Sequence, residues 1–169
     1  MIVVREEPWI SPDAVLFIDA WIKSLPKKIS VFEWGSGGST AWFASRSSEL
    51  VSIEHDPDWA AAVSKRLGDD IDHRVILAPN GMDYERTIDP FPFGHFELVF
   101  VDGIRRPECL RRIENSIRVG GLLVLDDSQR YGAAIGAMSS SLQPIAWFGE
   151  RGRGFGEPGR ELKIWRRMP

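Results

Sequence analysis

The feature that most constrains the fold is a regular alternation of short apolar segments with segments of helical pattern. Seven segments have the composition of β-strands: residues 29–34, 50–54, 75–78, 96–101, 122–125, 144–148 and 162–166. A helical pattern precedes the first strand, and others separate the first six strands: residues 12–24, 40–46, 57–67, 84–87, 106–118 and 131–142. Such alternation predicts an α/β fold with a mostly parallel, doubly wound sheet, because a strand, a helix and a next strand form a right-handed crossover.

The last connection breaks this alternation. Residues 149–160 are rich in glycine and contain Pro158, a composition too flexible for a crossover helix. Two strands that are joined without such a helix pair antiparallel. The sequence therefore predicts a C-terminal hairpin whose last strand is reversed.

Size and composition indicate one domain. The chain has 169 residues, of which 43% are hydrophobic and 27% are charged, which is typical of a globular domain. We expect a single domain over residues 1–169, in which residues 1–28 form an N-terminal helical extension.

Charge and cysteine content narrow the possible partners. The net charge of −3 disfavours general binding to nucleic acid. Residues 1–9 have neither a signal-peptide pattern nor a membrane anchor, and a single cysteine, Cys109, suits a reducing compartment. We therefore expect a cytoplasmic protein without a nucleic-acid or membrane partner.

The loop after the first strand predicts a ligand site. Residues 31–40 read VFEWGSGGST, which places three glycines in four positions directly after an apolar strand. Glycine lets the backbone approach a ligand closely. The third glycine of the dinucleotide pattern G-x-G-x-x-G is missing, and Glu33 adds a negative charge. The loop thus favours a cationic ligand over a pyrophosphate.

The segment E-x-G-x-G-G-S-T resembles the first motif of the class I S-adenosylmethionine-dependent methyltransferases, and residues 32–55 are similar to small bacterial, O-methyltransferase-like members. The resemblance implies a Rossmann-like sheet with one reversed terminal strand. It also implies S-adenosylmethionine as cofactor. A glycine-rich turn alone is common in other doubly wound folds, so the rest of the chain has to support this interpretation.

Acidic residues stand at or directly after the ends of four of the predicted strands: Glu33, Glu54, Asp102 and the pair Asp126 and Asp127. Ligands of open α/β sheets bind at the carboxyl ends of the strands. Carboxylates on one rim raise each other's pKa and destabilise the fold unless a cation balances them. S-adenosylmethionine would supply a sulfonium and an ammonium.

The resemblance also implies roles for individual residues. It assigns Glu54 to the ribose hydroxyls, and Gly35 and Gly37 to close contact with the methionine part, with Glu33 compensating the ammonium. His55 would flank the adenine, and Asn80 with Gly81 would meet its edge. The remaining predicted cofactor-binding residues belong to the glycine loop or to the end of the fourth strand: Ser36, Thr40 and Asp102.

Asp102 has two predicted roles, and one of them involves a metal. It would hold the methionine ammonium or orient the acceptor; alternatively Asp102, Asp126 and Asp127 match the magnesium ligands of the catechol O-methyltransferase type. Arg105 stands where that type has its lysine base, and arginine does not deprotonate in proteins. We therefore predict that Arg105 holds an anionic acceptor, and that Asp102 or Asp127 takes the proton of an acceptor hydroxyl.

Three functions remain open from the sequence. The first is methyl transfer to a small molecule, at oxygen. The second is binding of the same nucleoside without methyl transfer, or with its decarboxylated form as alkyl donor. The third is a nicotinamide-dependent oxidoreductase, which the missing third glycine and the absence of a Tyr-x-x-x-Lys pair disfavour. The short segment before the first strand predicts an open acceptor side. Such a side would suit a bulky acceptor, or it would be closed by residues 149–160 or by the second subunit of a homodimer.

Overall fold

A computed structural model describes residues 3–5, 7–68, 70–149 and 159–169. Its seven strands form one sheet: β1 (Ile29–Trp34), β2 (Ser47–Glu54), β3 (His73–Leu77), β4 (Phe96–Val101), β5 (Ile117–Leu125), β6 (Leu142–Phe148) and β7 (Leu162–Arg167). The α-helices are α1 (Pro12–Lys23), α2 (Gly38–Ala44), α3 (Pro57–Leu67), α4 (Met82–Arg86), α5 (Arg106–Leu110) and α6 (Gly132–Gly136).

The sheet has the strand order β3-β2-β1-β4-β5-β7-β6. The first five strands pair in parallel. β7 runs antiparallel to both of its neighbours, β5 and β6. The predicted fold class is confirmed, including the reversed last strand.

The core lies on both faces of the sheet. All six residues of β4 are buried, and its side chains alternate between two apolar clusters. Val99 and Val101 pack with the cluster that contains Trp34, and Leu98 and Phe100 pack with the cluster beneath α1. A strand that is buried on both faces needs a near-continuous apolar sequence, and this explains the pattern of β4, in which Glu97 is the one polar residue.

Two helices are shorter than predicted. The helix predicted over 106–118 ends at Leu110, and β5 begins at Ile117 rather than at residue 122. The buried guanidinium of Arg167 provides the reason, since its Nη1 donates to the carbonyl oxygens of Glu114 and Ile117. These carbonyls are thereby bound by the last strand instead of by a helix.

The helix predicted over 131–142 ends at Gly136. Beyond it, the hydroxyl of Ser139 accepts from the backbone N–H of Ser141 at 3.2 Å, and β6 begins at Leu142. Serine side chains compete with the helical hydrogen-bond pattern in this way, and glycine lowers helix stability.

Arg167 gives a test of this arrangement. Arg167→Ala should lower the free energy of unfolding by about 2–3 kcal/mol, because the carbonyls of Glu114 and Ile117 lose a charged donor. Arg166→Ala, at the exposed neighbouring position, is the matched control and should change it by less than about 0.5 kcal/mol. Urea denaturation measures both values, and equal losses would contradict the role given to Arg167.

Candidate active site

A cleft of about 470 Å³ lies at the carboxyl ends of β1, β2 and β4. We call it the Glu54 cleft, and it is lined by Gly35, Ser36, Glu54, His55, Asp56, Trp59, Asp102, Gly103, Ile104 and Arg106. The edge of the sheet at which parallel strands end is therefore the edge that carries the cavity, as expected for an open α/β fold.

A second cleft, of about 200 Å³, adjoins the first. This Trp9 cleft is lined by Val3, Arg5, Glu7, Trp9, Gly35, Ser36, Gly37, Gly38, Ser39, Trp59 and Asp102. Gly35, Ser36, Trp59 and Asp102 line both clefts. The two clefts thus form a trough that crosses the glycine loop.

The glycine loop packs directly on the turn after β4. Gly35 has φ of 95°, and a Cβ there would lie 2.6 Å from the backbone nitrogen of Gly103. A Cβ on Gly103 would lie 2.0 Å from the hydroxyl of Tyr84. Glycine is required at both positions, because no side chain fits between these backbones.

Glu54 is held in a fixed orientation at the end of β2. Its Oε1 accepts from the backbone N–H groups of His55 (2.7 Å) and Asp56 (3.0 Å), and lies 2.8 Å from the Nδ1 of His55. Its Oε2 accepts from the backbone N–H (3.1 Å) and the hydroxyl (3.0 Å) of Ser36. The carboxylate thereby joins the glycine loop to the end of β2.

Glu33 lies behind the loop and does not line either cleft. Its side chain is fully buried and accepts from the hydroxyls of Ser39, Thr40 and Ser52, the last two at 2.6 Å. Burial raises the pKa of the Glu33 carboxyl to about 7, although these three hydroxyls oppose the shift. Compensation of a ligand ammonium by Glu33 stays a prediction, and the contacts observed are within the protein.

Thr40, another predicted cofactor-binding residue, is also buried. Its Oγ1 accepts from the backbone N–H of Gly37 at 2.7 Å and donates to Glu33. Thr40 therefore fixes the glycine loop from behind.

Asp102 lies at the centre of the trough, and Arg106 holds it there. The Nη2 of Arg106 donates to the carbonyl oxygen (2.7 Å) and to Oδ1 (3.0 Å) of Asp102, and its Nε donates to the carbonyl of Gly103 at 2.8 Å. Burial raises the pKa of the Asp102 carboxyl well above its usual range; the nearby Asp126 adds to this effect, and Arg106 opposes it.

The predicted metal ligands are engaged by arginine side chains. Arg160 donates from Nη2 to Oδ2 of Asp126 at 2.8 Å and from Nε to Oδ1 of Asp127 at 3.1 Å. Nη1 of Arg106 lies 3.7 Å from Oδ2 of Asp126. Among the described residues, no group of three or more acidic, histidine or cysteine side chains could hold a metal ion. The arrangement does not fit a divalent cation, and the predicted magnesium site is not supported.

Three further predicted residues lie away from the trough. Arg105 does not line either cleft, and its Nε donates to Oε2 of Glu85 at 2.7 Å. Its predicted contact with an anionic acceptor would require breaking this ion pair. Asn80 and Gly81 lie between β3 and α4 and do not line either cleft, so their contact with adenine stays a prediction.

The sequence interpretation missed several residues of the trough: Arg5, Trp9, Trp59 and Arg106. Trp59 donates from Nε1 to the carbonyl of Ser36 at 2.7 Å. The ion pair of Arg106 with Asp102 has i,i+4 spacing, and this spacing is a signal that could have been used. Arg5 and Trp9 left no such signal, because they reach the glycine loop only through packing.

Comparisons of sequence show no relationship. No known family profile matches the chain, and no curated protein matches it. Solved structures do match.

A candidate O-methyltransferase from Klebsiella pneumoniae is 20% identical, with a TM-score of 0.69 over 95% of this chain and 84% of that one. An rRNA methylase from Streptococcus thermophilus is 14% identical, with a TM-score of 0.69 over 96% and 100% of the two chains. The N-methyltransferase NodS from Bradyrhizobium japonicum, in complex with S-adenosylhomocysteine, is 16% identical, with a TM-score of 0.63 over 96% and 93%.

The chain has the class I S-adenosylmethionine-dependent methyltransferase fold. Identities of this size establish the fold alone, and the chemistry has to be argued from the residues of the trough. Within the described part of this methyltransferase fold, no helix is both long and apolar enough to cross a membrane.

Glu33 makes stability depend on pH. Its folded-state pKa of about 7 exceeds the ordinary value of 4.5, so the folded protein retains a proton that the unfolded chain has lost. The contribution of this group to the free energy of unfolding should fall as pH rises from about 4.5 to about 7 and stay constant above. The side chain of Glu33→Gln does not ionise. Between about pH 4.5 and about pH 8 the free energy of unfolding of this variant should therefore rise by about 3 kcal/mol relative to that of wild type.

Urea denaturation across this pH range measures the difference. Glu114→Gln, at an exposed carboxylate, is the control and should follow the wild-type curve. A constant offset between Glu33→Gln and wild type would show that Glu33 is ionised in the folded protein throughout.

Proposed function

We propose that this protein transfers a methyl group from S-adenosylmethionine to an oxygen atom of a small-molecule acceptor. The observation that carries the proposal is the trough itself. Glu54 at the end of β2 and Asp102 at the end of β4 line one cleft, and the glycine loop crosses its floor. This places two carboxylates beside a backbone that a ligand can approach closely.

The lining residues fit an adenosine with a charged tail. The ribose hydroxyls are donors that a carboxylate binds, and two side chains already lie against Glu54: the hydroxyl of Ser36, which donates to Oε2, and the ring of His55, whose Nδ1 is 2.8 Å from Oε1. The two ribose hydroxyls would replace these side chains. His55 is 42% exposed, so its ring can move without disturbing the core.

Bound S-adenosylmethionine supplies a methyl group on a sulfonium, and the protein residues align and activate the acceptor. Alignment alone can supply roughly 7–11 kcal/mol of a displacement barrier. Asp102 lines both clefts and would accept the proton of an acceptor hydroxyl. A proton acceptor at this position favours a hydroxyl oxygen as the methylated atom. The structural neighbours do not supply this argument.

The other expectations about partners are part of the proposal. Arg105 pairs with Glu85, so an anionic acceptor held by Arg105 would have to displace this ion pair, and it stays a prediction. The catalytic role predicted for Asp127 also stays a prediction, and Arg160 and Arg130 lie 3.1 and 3.4 Å from its oxygens. A homodimer, a cytoplasmic location and the absence of a nucleic-acid partner stay predictions.

Ligand binding tests the proposal directly. Isothermal titration should give micromolar affinity, about −8 kcal/mol, for S-adenosylmethionine and S-adenosylhomocysteine, and no heat for NADH. Binding of NADH alone would overturn the proposal. Glu54→Gln should weaken S-adenosylhomocysteine by about 10- to 100-fold, through lost charged hydrogen bonds. Glu49→Gln, at a carboxylate outside both clefts on the same strand, is the matched control and should bind as wild type does.

The proposed role of Asp102 as proton acceptor is tested by measuring kcat. Once an acceptor has been found by screening hydroxylated small molecules for methyl transfer, Asp102→Asn should lower kcat by about 10²- to 10⁴-fold, since it removes the proton acceptor. Asparagine keeps an oxygen for Arg106, so S-adenosylhomocysteine should bind as before. Asp89→Asn, at an exposed ion pair with Arg112, is the control. Weaker binding with an unchanged kcat would instead assign Asp102 to the ammonium.

A further inference from the structure

The segment before α1 forms one wall of the Trp9 cleft through Val3, Arg5, Glu7 and Trp9. Its backbone contacts the glycine loop. A Cβ on Gly38 would lie 2.1 Å from the carbonyl oxygen of Glu7 and 3.3 Å from that of Arg5. Only glycine at residue 38 permits this approach. The position of this segment therefore depends on the glycine at residue 38, where α2 begins.

Arg5 differs from the other arginines around the trough. Arg105 pairs with Glu85, Arg106 with Asp102, and Arg160 with Asp126 and Asp127. The guanidinium of Arg5 lies 5.3 Å from the ring centroid of Trp9, and in the part of the chain that the structure describes it has no carboxylate within ion-pair distance. Arg5 is thus a cation at the cleft that can still bind an anion.

The charges of the Trp9 cleft complement a zwitterion. Besides Arg5, the cleft is lined by two acids, Glu7 and Asp102. A ligand whose ribose lies against Glu54 and which extends across Gly35 would place its other end in the Trp9 cleft, because the two clefts adjoin at that glycine. The other end of S-adenosylmethionine is an amino acid with one ammonium and one carboxylate.

We infer that Arg5 binds the carboxylate at the amino-acid end of the cofactor and makes the site select the carboxylated nucleoside over its decarboxylated form. Guanidinium and carboxylate match in bidentate geometry. The inference rests on the proposed function and deepens it, since it separates methyl transfer from alkyl transfer with a decarboxylated donor.

The test measures the affinity of two ligands for three proteins by isothermal titration. The ligands are S-adenosylhomocysteine and its decarboxylated analogue, and the proteins are wild type, Arg5→Ala and Arg5→Lys. Wild type should bind S-adenosylhomocysteine at least about tenfold more tightly. Arg5→Ala should reduce this ratio to about twofold by weakening S-adenosylhomocysteine alone, and Arg5→Lys should retain part of it, because lysine keeps the charge without the fork.

The control is Arg111→Ala, at an exposed arginine outside both clefts, which should leave the ratio unchanged. Equal affinity of wild type for the two ligands would overturn the inference while leaving the proposed function intact. The same holds if Arg5→Ala weakens both ligands equally and unfolds at the wild-type temperature. Failure of wild type to bind either ligand would overturn the proposed function and this inference together.

Discussion

The arrangement of the site depends on one backbone contact, between the glycine loop after β1 and the turn after β4. Gly35 and Gly103 approach so closely that a Cβ on either would overlap the other's backbone. This contact sets the floor of the trough and places Asp102 beside the loop. It is possible because β1 and β4 are neighbours in the sheet and end together.

The acids at the strand ends find hydrogen-bond partners within the protein. Glu54, Asp102, Asp126 and Asp127 lie at strand ends, Glu33 is buried behind the glycine loop, and each of them has an internal partner. Hydroxyl groups bind Glu33, backbone N–H groups bind Glu54, and guanidinium groups bind Asp102, Asp126 and Asp127. Such partners reduce the repulsion that like charges would otherwise cause. The acidic rim is consequently compatible with a stable fold before any ligand binds.

The two sides of the glycine loop differ in what they contact. Behind the loop, Glu33 and Thr40 form a buried polar cluster that fixes the start of α2. In front of it, Ser36 and Gly37 face the trough. A buried polar cluster that is fully hydrogen-bonded makes a loop rigid. The loop can therefore present its backbone to a ligand without first having to become ordered.

The sequence by itself determined the sheet, its reversed last strand and the glycine loop, because apolar periodicity and glycine act locally along the chain. It also placed Glu54 and Asp102 at the ends of their strands. Only the tertiary structure decided what those acids contact. Arg160 reaches Asp126 and Asp127 from more than thirty residues away. Arg5 meets the loop by backbone contact at Gly38, and Trp9 lines the same cleft. The end of α5 was misjudged for the same reason, since Arg167 binds carbonyls about fifty residues distant, and no local pattern encodes a partner so far along the chain.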